Sequence, residues 1–212
     1  MIAARCKLIA FDFDGTLADT FPWFESVLDE VADEYGFHKP SREEKAELRH
    51  QDTLGILKTL QIPLWKAPRI LAHVRAKMQD VGPDIQMFAG IPQSLQALAR
   101  AGVQLAVVSS NSEVNVRRVL GDDIAALFTH YECGADLFGK PAKLKRVLKR
   151  GDVDAGEAML IGDEIRDIDA ARATAMQSGV VAWGYNHRDA LQAHGPDMVF
   201  DTPAGIAQAL VS

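Results

Sequence analysis

The stretch Leu8-Ile9-Ala10-Phe11-Asp12-Phe13-Asp14-Gly15-Thr16 is four apolar residues running into two carboxylates, two positions apart, and a glycine. An apolar run this short, without helical spacing, reads as a strand covered on both faces. The acidic pair then lies at the carboxyl edge of the sheet, which is where open parallel sheets bind ligands.

Three more runs have the same character: Leu105 to Val108, Met159 to Ile161 and Val180 to Trp183. Helical patterns separate most of them, so the strands have crossover connections and form a parallel sheet with both faces covered. The helices are punctuated by glycine: Pro92 to Ala101 is closed by Gly102, Glu113 to Leu120 by Gly121, and Pro141 to Arg150 by Gly151, each where a left-handed residue is wanted.

Between the first and second strands the interval is far longer than one crossover helix, and it reads as helical throughout. Pro22 to Tyr35 ends at Gly36, Ser41 and Glu44 form a capping box ahead of a helix from Arg42 to Leu60, and Trp65 to Asp80 ends at Val81-Gly82-Pro83. The expected fold is therefore α/β. A Rossmann-like parallel sheet with helices on both faces comprises residues 1–16 and 87–212, and a small α-helical domain, residues 17–86, is inserted in it.

At 212 residues and 48% hydrophobic content, the chain can bury one ordinary core, and two domains fit only if one is small. No apolar run approaches the roughly 18 residues of a membrane helix, and Asp12 interrupts the N-terminal stretch before it could act as a signal segment. A cytoplasmic, soluble protein without a membrane partner is expected. Cys6 and Cys133 have neither a disulfide pattern nor metal-ligand spacing, and both read as buried small hydrophobes in a reducing compartment. The net charge of -6, from 29 acidic and 23 basic residues, disfavours a nucleic-acid partner.

The run ending at Ile161 continues as Gly162-Asp163, with Asp167 on the first turn of the next helix. If this edge and that of Asp12 and Asp14 face one crevice, four carboxylates converge. At about 4 Å each like-charge pair costs on the order of 4 kcal/mol in a partly shielded site, so the cluster requires a cation. Hard oxygen ligands without His or Cys select magnesium. Such an ion would orient and neutralise a phosphate ester, whose hydrolysis calls for rate enhancements of up to about 10²¹-fold. Ser109-Ser110-Asn111, ending the second strand, offers hydroxyl and backbone N–H donors, and Lys140 before Pro141 offers a mobile ammonium.

Asp12-Phe13-Asp14-Gly15-Thr16-Leu17, Ser109, Lys140 and Gly162-Asp163 with Asp167, in that order, resemble the four motifs of the haloacid dehalogenase superfamily. The match spans nearly the whole chain. It implies a nucleophile at Asp12, a general acid/base at Asp14, phosphate contacts from Ser109 and Lys140, and magnesium on Asp12, Asp163 and the Asp14 backbone carbonyl, with Asp167 supporting the metal. Ser110, from the strand-end reading, is a further phosphate-binding candidate. The helical insertion resembles the family's mobile cap of the C1 type. The continuation through Thr20, together with Trp183-Gly184-Tyr185-Asn186, looks most like members of the phosphoglycolate-phosphatase type.

The resemblance thus implies a magnesium-dependent phosphatase, acting on a small phosphorylated metabolite as a monomer or homodimer. The alternatives are a phosphosugar mutase and a silent binding protein on the same scaffold. Carbon–halogen cleavage is disfavoured because dehalogenating relatives lack the second aspartate. Arg49 is the choice for an anionic substrate tail, and His50 the histidine to test for substrate contact.

Two positions depart from the family pattern. Thr174-Ala175-Met176 replaces the usual Ala-Gly helix end, and since a left-handed Ala costs about 1 kcal/mol, another helix end is expected there. Lys143 stands where proline often follows the lysine motif. The run Lys143, Lys145, Arg146, Lys149 and Arg150, with apolar residues between, reads as a solvated helix face. Trp23, Phe24 and Trp65 read as core of the inserted helices.

Overall fold

The run Leu8–Phe11 forms strand β1, with every residue fully buried. A computed structural model, which describes residues 6–79, 85–134 and 139–211, places it inside a six-stranded sheet. The other strands are β2 (Gln104–Val108), β3 (Phe128–Glu132), β4 (Ala158–Gly162), β5 (Gln177–Val181) and β6 (Met198–Phe200). Their order is β3-β2-β1-β4-β5-β6, with each pairing parallel. The chain steps outward from β1 to β3 and then returns to β1's other side as β4. A crevice results at the carboxyl ends of β1 and β4, the topological switch point of such a sheet.

Both faces are covered, which is why β1 shows no polar alternation. Ile9 and Phe11 pack with Leu95, Leu98, Val116 and Ile206 from α5 (Ile91–Arg100), α6 (Glu113–Ala125) and α10 (Pro203–Val211). Leu8 and Ala10 pack with Leu144, Val147, Ala170 and Ala171 from α7 (Gly139–Gly151) and α8 (Ile165–Ala173). A further cluster seats Leu191 of α9 (Arg188–Ala193) on Ile168 and Val180.

The sheet is wider than its apolar runs indicate. Edge strand β3 reads Phe-Thr-His-Tyr-Glu, and β6 has three residues, so neither needs a continuous apolar run. Strand β5 begins at Gln177 and ends at Val181, not at Val180 and Trp183. Its polar start is satisfied locally, because Ser178 donates through N and Oγ to Asp197 Oδ2, each at 2.8 Å.

Among the described residues between β1 and α5, four helices lie: α1 (Phe21–Tyr35), α2 (Arg42–Leu48), α3 (Thr53–Thr59) and α4 (Ala67–Gln79). They surround their own apolar cluster of Leu28, Val31, Leu48, Leu60, Ile62, Ala67 and Ile70. The capping box at Ser41 and Glu44 is present. The single helix expected from Arg42 to Leu60 is two, because Asp52 caps a new start by accepting from Gly55 N at 2.8 Å. Trp65 is 77% exposed with Lys66 over its ring, so it is not core. Phe24 does pack on the helical cluster, whereas Trp23 packs toward the sheet core. The expected helix stop at Asp80 to Pro83 lies outside the described residues. Among the described residues, no helix is long and apolar enough to cross a membrane.

Helix ends follow the glycines in part. Gly36 and Gly102 take left-handed conformations at φ 65° and 82°, and Gly121 breaks α6 at φ 68°. At α7 the left-handed residue is Asp152 (φ 51°), not Gly151. A Cβ at Gly151 would sit 2.8 Å from Leu8 Cδ1, so glycine there serves close helix–sheet approach, and Asp is among the residues that tolerate the left-handed turn.

Ala175 also overturns an expectation, since it adopts φ 56°. Its N–H bonds Arg172 O, and Met176 N–H bonds Ala171 O, which is a Schellman end. Burial of Met176 against Ala170 and Ala171 offsets the strain. Ala175→Gly should therefore stabilise the protein by up to about 1 kcal/mol, read as a higher urea midpoint at unchanged slope.

Candidate active site

Beyond β1 the chain turns sharply, with Thr16, Leu17 and Ala18 N–H groups all directed at Phe13 O. The turn leaves Asp12 buried at the sheet edge, one carboxylate oxygen accepting from Phe13 N at 2.8 Å. Gly15 permits it: its φ is 75°, and a Cβ there would lie 2.2 Å from Asp163 Oδ2. The sheet edges of β1 and β4 thus meet at Asp12 and Asp163.

Asp163, at the end of β4, is fully buried. Its Oδ1 accepts from Thr16 Oγ1 and its Oδ2 from Tyr185 N, each at 2.7 Å. Asp167 on α8 turns back to accept from the N–H groups of Asp163 and Glu164 at 3.1 and 3.0 Å. Lys140, near the start of α7, bridges the cluster: its ammonium lies 2.8 Å from Asp12 Oδ2 and also pairs with Asp167 Oδ1. Asp12, Asp163 and Asp167 each offer an oxygen within 4.8 Å of the others.

The charges in this cluster shape one another. Burial pushes Asp163 well above the ordinary carboxylate range, and Glu164 and Asp12 add to the push. Burial acts the same way on Asp167, but Lys140 and Arg166 overcome it and hold this group low. For Lys140, burial disfavours the charge, yet Asp12 and Asp167 more than compensate and raise it. Asp14, pushed up to about 7 by burial and the Asp12 charge, faces the ends of β2. Asn111 Nδ2 donates to it at 3.3 Å, and Ser109 Oγ approaches to 3.5 Å. Ser109 Oγ also accepts from Asn111 N at 3.0 Å, which holds the loop after β2 in place. Ser110 lines the cavities on both sides of this edge.

Three residues quoted in the motifs have roles in this site that motif reading did not assign. Thr16 fixes Asp163 although it belongs to the first motif, and its neighbour glycine is the signal that could have found it. Tyr185 delivers a backbone N–H, which carries no sequence signal. Asn186 is buried and spans two segments, accepting from Ile165 N and donating to Arg49 O and Gln51 O, all at 3.0 Å.

The helical segment is therefore fastened to the sheet edge through Arg49 to Gln51. Arg49 itself donates to Tyr185 O at 3.1 Å and Gly184 O at 2.8 Å, and its guanidinium lies over the Phe21 ring. The His50 ring stacks on His187, centroids 4.6 Å apart.

The basic run on α7 is not uniformly solvated. Lys143 is buried and donates to Ser109 O at 2.6 Å and to Gly134 O, so its ammonium is satisfied by carbonyls behind the serine. Arg146 and Arg150 pair with the buried Glu132 of β3, while Lys145 and Lys149 are exposed. Cys6 is buried and Cys133 half-buried against the same core; burial pushes the Cys133 thiol up to about 12.

Comparison with known proteins places the chain in a family. The profile of the family "Haloacid dehalogenase-like hydrolase" matches residues 9–181. A phosphoglycolate phosphatase of Synechococcus elongatus is 30% identical over 205 residues, covering 96% of this chain and 97% of that one. A phosphoglycolate phosphatase of Vibrio vulnificus is 27% identical over 230 residues, covering 100% and 99%. The solved structure of a haloacid dehalogenase-like family hydrolase from Streptococcus pneumoniae superposes with a TM-score of 0.73 at 19% identity, covering 97% and 98%. The chain belongs to the haloacid dehalogenase-like hydrolases. Within them it is a phosphatase, a phosphoric monoester hydrolase.

Proposed function

We propose that this phosphatase hydrolyses a small phosphorylated metabolite in two steps, with magnesium as cofactor, through a phosphoryl group carried on Asp12. Asp12 Oδ attacks phosphorus and the ester oxygen leaves with a proton from Asp14. Asp14 then takes a proton from water, which attacks the same phosphorus and frees Asp12 and inorganic phosphate. Lys140, Ser109 and Ser110 hold the phosphoryl oxygens, and Asn111 and Ser109 orient Asp14.

The donor set fits a hard cation, since it consists of carboxylate oxygens whose mutual repulsion a cation would relieve. Asp12, Asp163 and the Asp14 carbonyl would hold magnesium, and Asp167, whose oxygens already serve Lys140 and two N–H groups, would orient the cluster. Bound there, the ion would supply charge neutralisation for the phosphoryl group.

Residues 17–86 act in this reading as a cap on a core of residues 1–16 and 87–212, a division supported by the separate apolar cluster of α1 to α4. The free thiols support a cytoplasmic setting, where the chain works as a monomer or homodimer.

The observation that carries the reading is the convergence of Asp12, Asp163 and Asp167 around one point, with Lys140 bridging the first and last. The test is phosphate release from a panel of small phosphate esters, 2-phosphoglycolate and a hexose 1-phosphate among them. Release should require magnesium, vanish with EDTA and return on re-addition. Release unaffected by EDTA, or an isomeric sugar phosphate in place of free phosphate, would overturn it.

A further inference from the structure

Between the sheet edge and helices α1 to α4 lies a cavity of about 270 Å³. Asp14 lines it, so under the reading above the group attached to the departing oxygen occupies this space. Its walls are mainly Phe21, Trp23, Phe24, Leu48, Ile56 and Leu57. Tyr185 closes over the same region, edge-on to Phe21 and Phe24 at 5.3 and 5.9 Å between centroids.

The cations on these walls, Lys45, Arg49 and Arg166, already have partners. Lys45 is 3.1 Å from Asp29, Arg49 is held by the Gly184 and Tyr185 carbonyls, and Arg166 pairs with Glu164. Glu25 adds a further carboxylate to the lining. A second anionic group on the substrate would lose water here and meet aromatic rings and carboxylates, with each lining cation already committed. The volume, near the roughly 300 Å³ at which pockets begin to take drug-sized ligands, also exceeds what glycolate would fill.

We propose that the preferred substrate is a phosphate ester of an uncharged, apolar alcohol, aryl or branched alkyl, rather than one bearing a carboxylate. This inference rests on the phosphatase reading of Asp12 and Asp14 for its chemistry, and on the cavity for its selectivity.

Two matched phosphonates separate the two, because neither can be hydrolysed. Calorimetry of the full chain with magnesium should show 2-phenylethylphosphonate binding at least about 10-fold more tightly than 3-phosphonopropionate. Equal or reversed affinities, or failure of both to bind, would overturn the proposal. In parallel, kcat/KM for benzyl phosphate should exceed that for 2-phosphoglycolate; no release from either would refute the phosphatase reading, while the binding ratio still decides the cavity. Thr53→Arg, at an exposed lining position on α3, adds a cation and should shift the binding ratio about 10-fold toward the carboxylate. An unmoved ratio in a folded variant would place the alcohol elsewhere and sink the proposal.

Discussion

Asp12→Asn should lower phosphate release from any small phosphate ester by at least about 10³-fold while the fold persists. The amide has the shape of the carboxylate but not its nucleophilic oxygen. The electrostatics favour survival of the fold. Lys140 keeps Asp167 as a partner, and the charge that helps raise Asp14 and Asp163 disappears. The variant should melt within about 4 °C of wild type, the shift that about 1 kcal/mol produces in a chain of this size. Steady-state kinetics beside a thermal melt decide the matter. Turnover within tenfold of wild type in a folded variant would exclude Asp12 as the attacking group.

Gly184→Ala should damage stability and activity together, although it adds one methyl group and replaces no side chain of the proposed site. An added Cβ would stand 2.2 Å from Asp163 Cβ and 2.4 Å from its Oδ2. The nearer atom is not the end of a flexible side chain, so the loop after β5 or the end of β4 must move. Such overpacking belongs at the upper end of the usual range, about 3 kcal/mol, equivalent to a drop of roughly 6–12 °C. Displacing Asp163 by about 1 Å should also reduce kcat on the order of 10²-fold. Gly36→Ala is the control. Nothing lies within 4 Å of a Cβ there, and the left-handed φ of 65° leaves only a conformational penalty of about 1 kcal/mol with activity intact. Equal losses from both variants would show that the contact with Asp163 is relieved at little cost and would refute the overpacking argument.

The difference between these glycines illustrates how far a linear reading reaches. Gly36 announces itself by closing a helical pattern, a local event. Gly184 is needed because a strand from elsewhere in the chain brings Asp163 against it. Lys143 and Ala175 make the same point in reverse. Helical spacing assigned Lys143 to solvent, but the carbonyls that satisfy its ammonium come from Ser109, just after β2, and from the turn after β3. Propensity argued against a left-handed Ala175, but the anchoring of Met176 in the core outweighs a penalty of about 1 kcal/mol.

What the amino-acid sequence determined by itself was the parallel α/β plan, the carboxylate positions at the ends of β1 and β4, and the all-oxygen character of that cluster. These follow from short-range facts: an apolar run places its last residue at a strand edge, and like charges gathered there demand neutralisation. Only the tertiary structure decided that Thr16 and the Tyr185 N–H hold Asp163, that Asn186 ties the helical segment to the sheet, and that the lining cations are engaged. Each of these depends on segments distant in sequence meeting within hydrogen-bond range, a geometry set by packing of the whole chain and not by any local pattern.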